Sequence, residues 1–382
     1  MEILKRFIRS ESIGGIILMA CIVLSLIIAN SAWGEGFNYF LLAKAGFENS
    51  AVHLKFTTTA WVNDGLMAIF FLLVGLEIKR ELVQGELSSI KQASLPIVAA
   101  IGGMLVPALL YAIINHNTKT ASGWGIPMAT DIAFAIAVLT FLSDKIPGSL
   151  RVFLTALAIV DDLGAIIVIA VFYSSGLNFT YLLLSAMVFA AQILLNRFKV
   201  QGLIWYLLLG VLLWYFIHGA GIEATIAGVL TALTIPVKGK DSPLEKLEHA
   251  LTTPVNFIIV PIFAIVNTCI RFDPAMLHTF TLPLGLGIVA GLLLGKPIGI
   301  ALSSWLAVKF KLANLPQNST WTQLIGIGVL AGIGFTMSIF IALLSFTETV
   351  YRNDAKFIIL CVSVVAGVCG YMLLAFSKTI KC

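Results

Sequence analysis

ALAIVDDLGAIIVIAVF, residues Ala156–Phe172, decides how this chain is read. Two adjacent aspartates stand in the middle of an otherwise apolar run. Taken over 152–173, the run has the roughly 20 residues needed to cross about 30 Å of hydrocarbon. A charge at the centre of such a helix costs about 2.5–3.5 kcal/mol even on the lenient insertion scale. Asp161 and Asp162 therefore need partners, a water-filled cavity or protonation, and ionisable groups placed this way mark function by default.

Working outward, the rest of the chain has the same character. Of its 382 residues 59% are hydrophobic and 11% charged, whereas soluble domains carry roughly 25% charged residues. Twelve apolar runs follow one another at about 13–30, 59–78, 95–114, 124–142, 152–173, 180–196, 202–217, 221–236, 251–270, 281–308, 323–346 and 356–376. The expectation is an all-α membrane protein of twelve transmembrane helices, forming a single domain over 1–382. The basic start Met1–Arg9 and the run behind it resemble a secretory signal, but about 18 apolar residues exceed the usual core of about 7–15, so the first helix is expected to stay.

With twelve spans both ends of the chain face one side. Of 24 lysines and arginines, the opposite side receives Lys44, Lys55, Lys119, Arg271, Arg352 and Lys356. Lys296 falls inside a span, and the others share the side of the termini. Basic residues concentrate on cytoplasmic segments, which orients the chain with both termini in the cytoplasm. The net charge of +5 then reflects orientation and calls for no nucleic-acid partner. Cys21, Cys269, Cys361, Cys369 and Cys382 are scattered, without CxxC or zinc-site spacing, and no cofactor is expected. In the external segment 34–57, GFENSAVHLKF (Gly46–Phe56) alternates apolar and polar residues around Asn-Ser, a pattern equally compatible with a hairpin and with an ordinary loop.

Other charges interrupt apolar runs: Asp64 in WVNDGLMAIFF, Asp131 in GIPMATDIAFAIAV, Glu223 in GIEATIAGVL and Lys296 after GIVAGLLLG. Asp64 and Glu223 lie near span ends, where local hydrogen bonding suffices, so a structural role and a functional one stand level. Successive helical residues are about 100° apart, so Asp161 and Asp162 diverge: one can face an ion site and the other a basic partner. Lys296 is the deep cation available for that pairing; geometry does not choose between the aspartates. Pro127, before Thr130 and Asp131, and Gly332, Gly334 and Thr336 in AGIGFTMSIF predict breaks in spans 4 and 11. Carboxylate and threonine oxygens suit a hard cation such as sodium or calcium. Desolvation can lift a carboxylate into the range where protons compete for the same oxygens. A solute symporter and an intramembrane aspartyl protease are the competing classes. The first needs a roomy polar pocket and the second two carboxylates that face each other.

ALAIVDDLGAI, GIPMATDIAFA, WVNDGLMAIFFLLVGLEIKREL, GLLLGKPIGI and GIGFTMSIFIA together resemble the NhaA family of bacterial sodium/proton antiporters, in order and over almost the whole chain. The resemblance implies an inner-membrane transporter, not an enzyme. Its core would be an inverted repeat of spans 3–5 and 10–12 (about 95–173 and 281–376), with spans 4 and 11 broken and crossed. Broken helices at matching places of inverted repeats mark transporter sites, a rule for which this family is itself a type example. It further implies electrogenic export of sodium or lithium against external protons. Asp161, Asp162 and Thr130 would bind the cation or protons, with Asp131 and Lys296 balancing the broken-helix ends. It implies pH activation through Glu77, Arg80, Glu81, Lys246, Glu248 and His249, and a homodimer formed by an external hairpin at about 45–58. Two positions depart from the pattern: Glu223 and Thr252 stand where some members carry histidine.

Overall fold

The computed structural model describes residues 11–49, 53–142, 145–174, 176–237 and 242–377. Lys5, Arg6, Arg9, Lys238, Lys240, Lys378 and Lys381 of the orienting set, and the hairpin tip at 50–52, lie outside these residues. The helices are α1 (Glu11–Ala29), α2 (Gly34–Leu42), α3 (Met67–Val83), α4 (Ile90–Ile114), α5 (Ile132–Thr140), α6 (Gly148–Phe172), α7 (Phe179–Arg197) and α8 (Leu203–Gly219). They continue as α9 (Ile226–Thr234), α10 (Pro243–Pro254), α11 (Val260–Asn267), α12 (Pro283–Val289), α13 (Lys296–Lys309), α14 (Trp321–Ala331), α15 (Phe335–Ser345) and α16 (Thr349–Ala375). Strands β1 (Lys44–Glu48) and β2 (His53–Thr57) form an antiparallel hairpin with Lys44 opposite Thr57 and Gly46 opposite Lys55.

Among the described residues, seven helical segments are long and apolar enough to span a bilayer, and nine when each of two bent pairs counts as one span. The other three apolar runs have local reasons for falling short. Run 59–78 opens with a π-helical turn, Trp61–Leu66, and its regular α-helix, α3, has 17 residues. Run 202–217 forms the 17-residue α8, and run 221–236 is regular only over the nine residues of α9. Span 4 is a 3₁₀ stretch, Ala121–Met128, followed by extended residues and then α5. Span 11 is α14 and α15, bent by 45° across Gly332 and its neighbours.

The chain divides into two compact units: Met1–Met19, Glu86–Ala165 and Phe272–Cys382 in one, Ala20–Gly85 and Ile166–Arg271 in the other. In the first, α4 and α13 approach so closely that a Cβ on Gly299 would sit 2.2 Å from the Gly102 carbonyl oxygen. In the second, a Cβ on Gly228 of α9 would lie 2.2 Å from the Ala68 carbonyl oxygen of α3. With lipid as apolar as leucine, small residues that let backbones meet do the packing that hydrophobicity does in water. Outward side chains such as Ile113, Val171, Phe172 and Val211 stay exposed, as lipid-facing surface would.

Candidate functional site

In the first unit, the two helix breaks touch. The Asp131 backbone N–H donates to the Ile333 carbonyl at 2.7 Å, and Thr130 Oγ1 donates to the Ala331 carbonyl at 2.9 Å. Chain that has left the helix at one break thus satisfies carbonyls freed at the other, which hydrocarbon would leave bare. The Asp131 side chain serves two helix starts. Oδ1 accepts from the Phe134 N–H at 3.0 Å, capping α5. Oδ2 accepts from the Thr336 N–H at 3.1 Å and from Thr336 Oγ1 at 2.6 Å, at the first turn of α15. Both ends carry the positive pole of a helix dipole, and an anion there is favourable. Ser363 Oγ of α16 accepts the neighbouring Phe335 N–H at 3.2 Å, and Ser338 Oγ donates to the Ile126 carbonyl at 2.8 Å.

Lys296 opens α13 directly after a π-helical turn, Ala290–Gly295, and is wholly buried. Its Nζ donates to Asp161 Oδ2 at 2.6 Å and to the Met128 carbonyl, the last of the 3₁₀ stretch in span 4. The ammonium therefore meets a carboxylate and the negative end of a broken helix together. Asp162, also buried, lies within electrostatic reach of Lys296. Of the two candidates that helical geometry left open, Asp161 is the direct partner. Its Oδ1 is buried and makes no hydrogen bond of good geometry among the described residues. Thr130 borders this carboxylate but turns its hydroxyl proton to Ala331. Asp131, Asp161, Asp162, Thr130 and Lys296 thus occupy one unit and are all buried, with Thr130 and Asp131 at the breaks of spans 4 and 11 and Lys296 on Asp161 and the end of the 3₁₀ stretch.

The second unit gathers another set. Arg80 Nε reaches both oxygens of Glu248 at 3.0 Å, and Arg80 Nη1 lies 3.0 Å from Glu81 Oε1. Arg80, Glu245, Lys246, Glu248, His249 and Thr252 line an open cavity of about 490 Å³. Ser242 and Glu245 form a capping box that starts α10 and sets the phase in which Glu248 faces Arg80. Glu77 lies one turn before Glu81 on α3, outside the cavity wall. Asp64 sits in the π-helical turn before α3, 3.8 Å from His218 Nδ1, and Glu223 accepts from Thr225 Oγ1 at 3.4 Å. His218, Ser338, Ser363 and the Met128 carbonyl escaped the sequence reading. His218 carried a signal, an ionisable residue ending the apolar run WYFIHG; a backbone carbonyl and two serines among many carry none.

The family model for Na+/H+ antiporter 1 matches residues 5–374. The chain belongs to this family. "Na(+)/H(+) antiporter NhaA 2" of Flavobacterium johnsoniae is 58% identical over 98% of this chain and 93% of its own. "Na(+)/H(+) antiporter NhaA" of Flavobacterium psychrophilum is 49% identical over 97% and 95%. The protein of the same name from Bordetella parapertussis is 47% identical over 98% and 96%. Membership agrees with the resemblance carried by the five motifs.

Proposed function

We propose that this protein is a secondary transporter that exchanges sodium for protons across a bacterial membrane, and that the exchange takes place on Asp161 and Asp162. One observation carries the reading: Lys296 and Asp161 form an ion pair of 2.6 Å with both side chains excluded from solvent, beside a second buried carboxylate. A cation that takes the Asp161 oxygens must displace the Lys296 ammonium. Sodium, the substrate, is a hard ion that suits carboxylate and hydroxyl oxygens, here those of Asp161, Asp162 and Thr130. A proton on the carboxylates, or the lysine against Asp161, excludes it. Competition for one set of oxygens, opened alternately to each side, couples the two ions.

On this reading the inner-membrane chain has twelve spans with both termini in the cytoplasm, and spans 3–5 and 10–12 are inverted copies. Spans 4 and 11 cross at their breaks, with Asp131 and Lys296 balancing the helix ends that the breaks create. Transport is electrogenic, and lithium is carried as well as sodium. Glu77, Arg80, Glu81, Lys246, Glu248 and His249 set the pH of activation. The hairpin at 45–58 joins two copies.

The test is collapse of a preset ΔpH in proteoliposomes by sodium, lithium, potassium or an organic solute, for wild type and Asp162→Asn. Sodium-driven collapse that vanishes in the variant is the expected result. Indifference to sodium at every pH from 6 to 9, with a response to a solute, overturns the reading.

A further inference from the structure

The two broken spans are fastened to each other on one side of their breaks by hydroxyl groups that bind no ion in the exchange proposed above. On the orientation given there, the 3₁₀ stretch Ala121–Met128 and α15 are the outer halves of spans 4 and 11. The inner halves are α5 and α14. Ser338 Oγ, wholly buried in the first turn of α15, donates to the Ile126 carbonyl at 2.8 Å. Ser122 Oγ, at the start of the 3₁₀ stretch, donates to the Ser345 carbonyl at the end of α15 at 2.9 Å. The two bonds run in opposite senses between the same two elements, one near each end. The approach is close. A Cβ on Gly334 would sit 2.1 Å from Ser338 Oγ, and one on Gly123 would sit 2.5 Å from the Tyr111 hydroxyl and 2.7 Å from the Phe346 ring.

The 3₁₀ stretch is also held from its other flank. Tyr111 Oη of α4 donates to the Thr120 carbonyl at 2.8 Å, and Thr120 Oγ1 donates to Asn115 Oδ1 at 2.6 Å. Asn115 Nδ2 in turn donates to the Pro283 carbonyl at the start of α12 at 2.9 Å. The inner halves are joined differently. Among the described residues no side-chain hydrogen bond links α5 to α14, and the Thr140 hydroxyl of α5 donates to the Ile136 carbonyl of its own helix.

We propose that Ser122 and Ser338 are positioning residues that latch the outer halves of spans 4 and 11 together, so that the path to Asp161 and Asp162 opens outward only when these bonds are released. The proposal rests on the exchange reading, which needs the site to open alternately to each side. One buried hydrogen bond is worth about five-fold in an equilibrium. Ser338 therefore lowers the outward-open population by about that factor, and Ser122, at the exposed rim, by about two-fold. A ligand arriving from outside meets only that minor population, and its apparent affinity falls in proportion. A ligand arriving from inside meets the major one and is little affected.

The test measures sodium-driven proton exchange from each side, in right-side-out and inside-out vesicles from cells lacking other sodium/proton exchange. In Ser338→Ala the half-saturating external sodium should fall about five-fold, while the internal value changes by less than two-fold. Ser122→Ala should move the external value about two-fold, and Ser122→Thr, which keeps the hydroxyl, should match wild type. A second readout needs no exchange. Ala129→Cys, 1% exposed beside the break of span 4, is labelled in an otherwise cysteine-free chain by a membrane-impermeant maleimide added outside. Its labelling should quicken about five-fold when Ser338→Ala is added. Equal shifts on both sides, or labelling that does not quicken, overturn the latch. Absence of sodium-driven exchange in wild type defeats the exchange reading instead, and the labelling rate then decides the latch alone. Should Ser338→Ala fail to fold, the labelling rate with Ser122→Ala decides, and an unchanged rate overturns the proposal.

Discussion

Both charged regions set carboxylates against basic side chains, and they obey different physics. Around Asp161 and Lys296 every charge is dry: Lys296 meets Asp161 and the end of the 3₁₀ stretch, and Asp131 meets two helix starts. Around Arg80 and Glu248 the charges are more numerous and wetter: the Arg80 side chain is 38% exposed and Glu248 15%. A buried pair depends on both partners, because taking one away leaves an uncompensated ion in a medium that does not solvate it. A hydrated cluster can lose a member and let water and salt replace it. One region is therefore tuned for all-or-none occupancy, the other for graded response.

The contrast can be broken most directly at Lys296. Lys296→Met should destabilise the folded protein by about 3–5 kcal/mol, read as a fall in thermal midpoint, because it strands Asp161. Adding Asp161→Asn should recover most of that loss while exchange remains abolished. If the single variant melts like wild type, the buried pair is not the strong coupling its geometry indicates. Asp131→Asn comes next. It keeps one acceptor for the two helix starts but loses the charge that complements them, and should cost about 1–3 kcal/mol.

At the cavity, Glu248→Gln should change stability by about 1 kcal/mol or less, an effect that shrinks with added salt, while moving the pH midpoint of ΔpH collapse. A large loss of stability with an unmoved midpoint would erase the distinction between the regions. The smallest effect concerns Lys79, just past the end of the 59–78 run. Its Nζ donates to the Leu233 and Ile235 carbonyls at 2.6 and 2.5 Å at the end of α9, yet burial lowers its pKa to about 8. The unfolded chain then binds more protons than the folded one between about pH 8 and 10.4, so this residue makes stability rise with pH across that window. Lys79→Met should flatten that rise in melting curves taken from pH 7.5 to 10.5.

Much of this could be read before any coordinates. Apolar run length, with the distribution of lysine and arginine, is enough for a many-span membrane chain, because hydrocarbon excludes polar backbone and charge everywhere along it. Asp131, Asp161, Asp162 and Lys296 stand out for the same reason, and Pro127 and Gly334 mark the breaks. Regularity within each run is less legible. Trp61–Leu66 and Ala290–Gly295 look like ordinary apolar helix, yet both widen to π turns, and both lie where a charged residue turns into the packed interior. One π turn does not announce itself in composition, since it comes from packing on several sides at once.

By itself the sequence determined which residues could not face lipid, since the cost of a bare charge in hydrocarbon depends on residue type and depth alone. Only the tertiary structure decided their partners. Lys296 takes Asp161 rather than Asp162, Asp131 serves two helix starts at once, and His218 rests against the hairpin through Phe56. Pairing over a few ångströms depends on the phase and crossing of helices far apart in the chain, and no local run of residues carries that information.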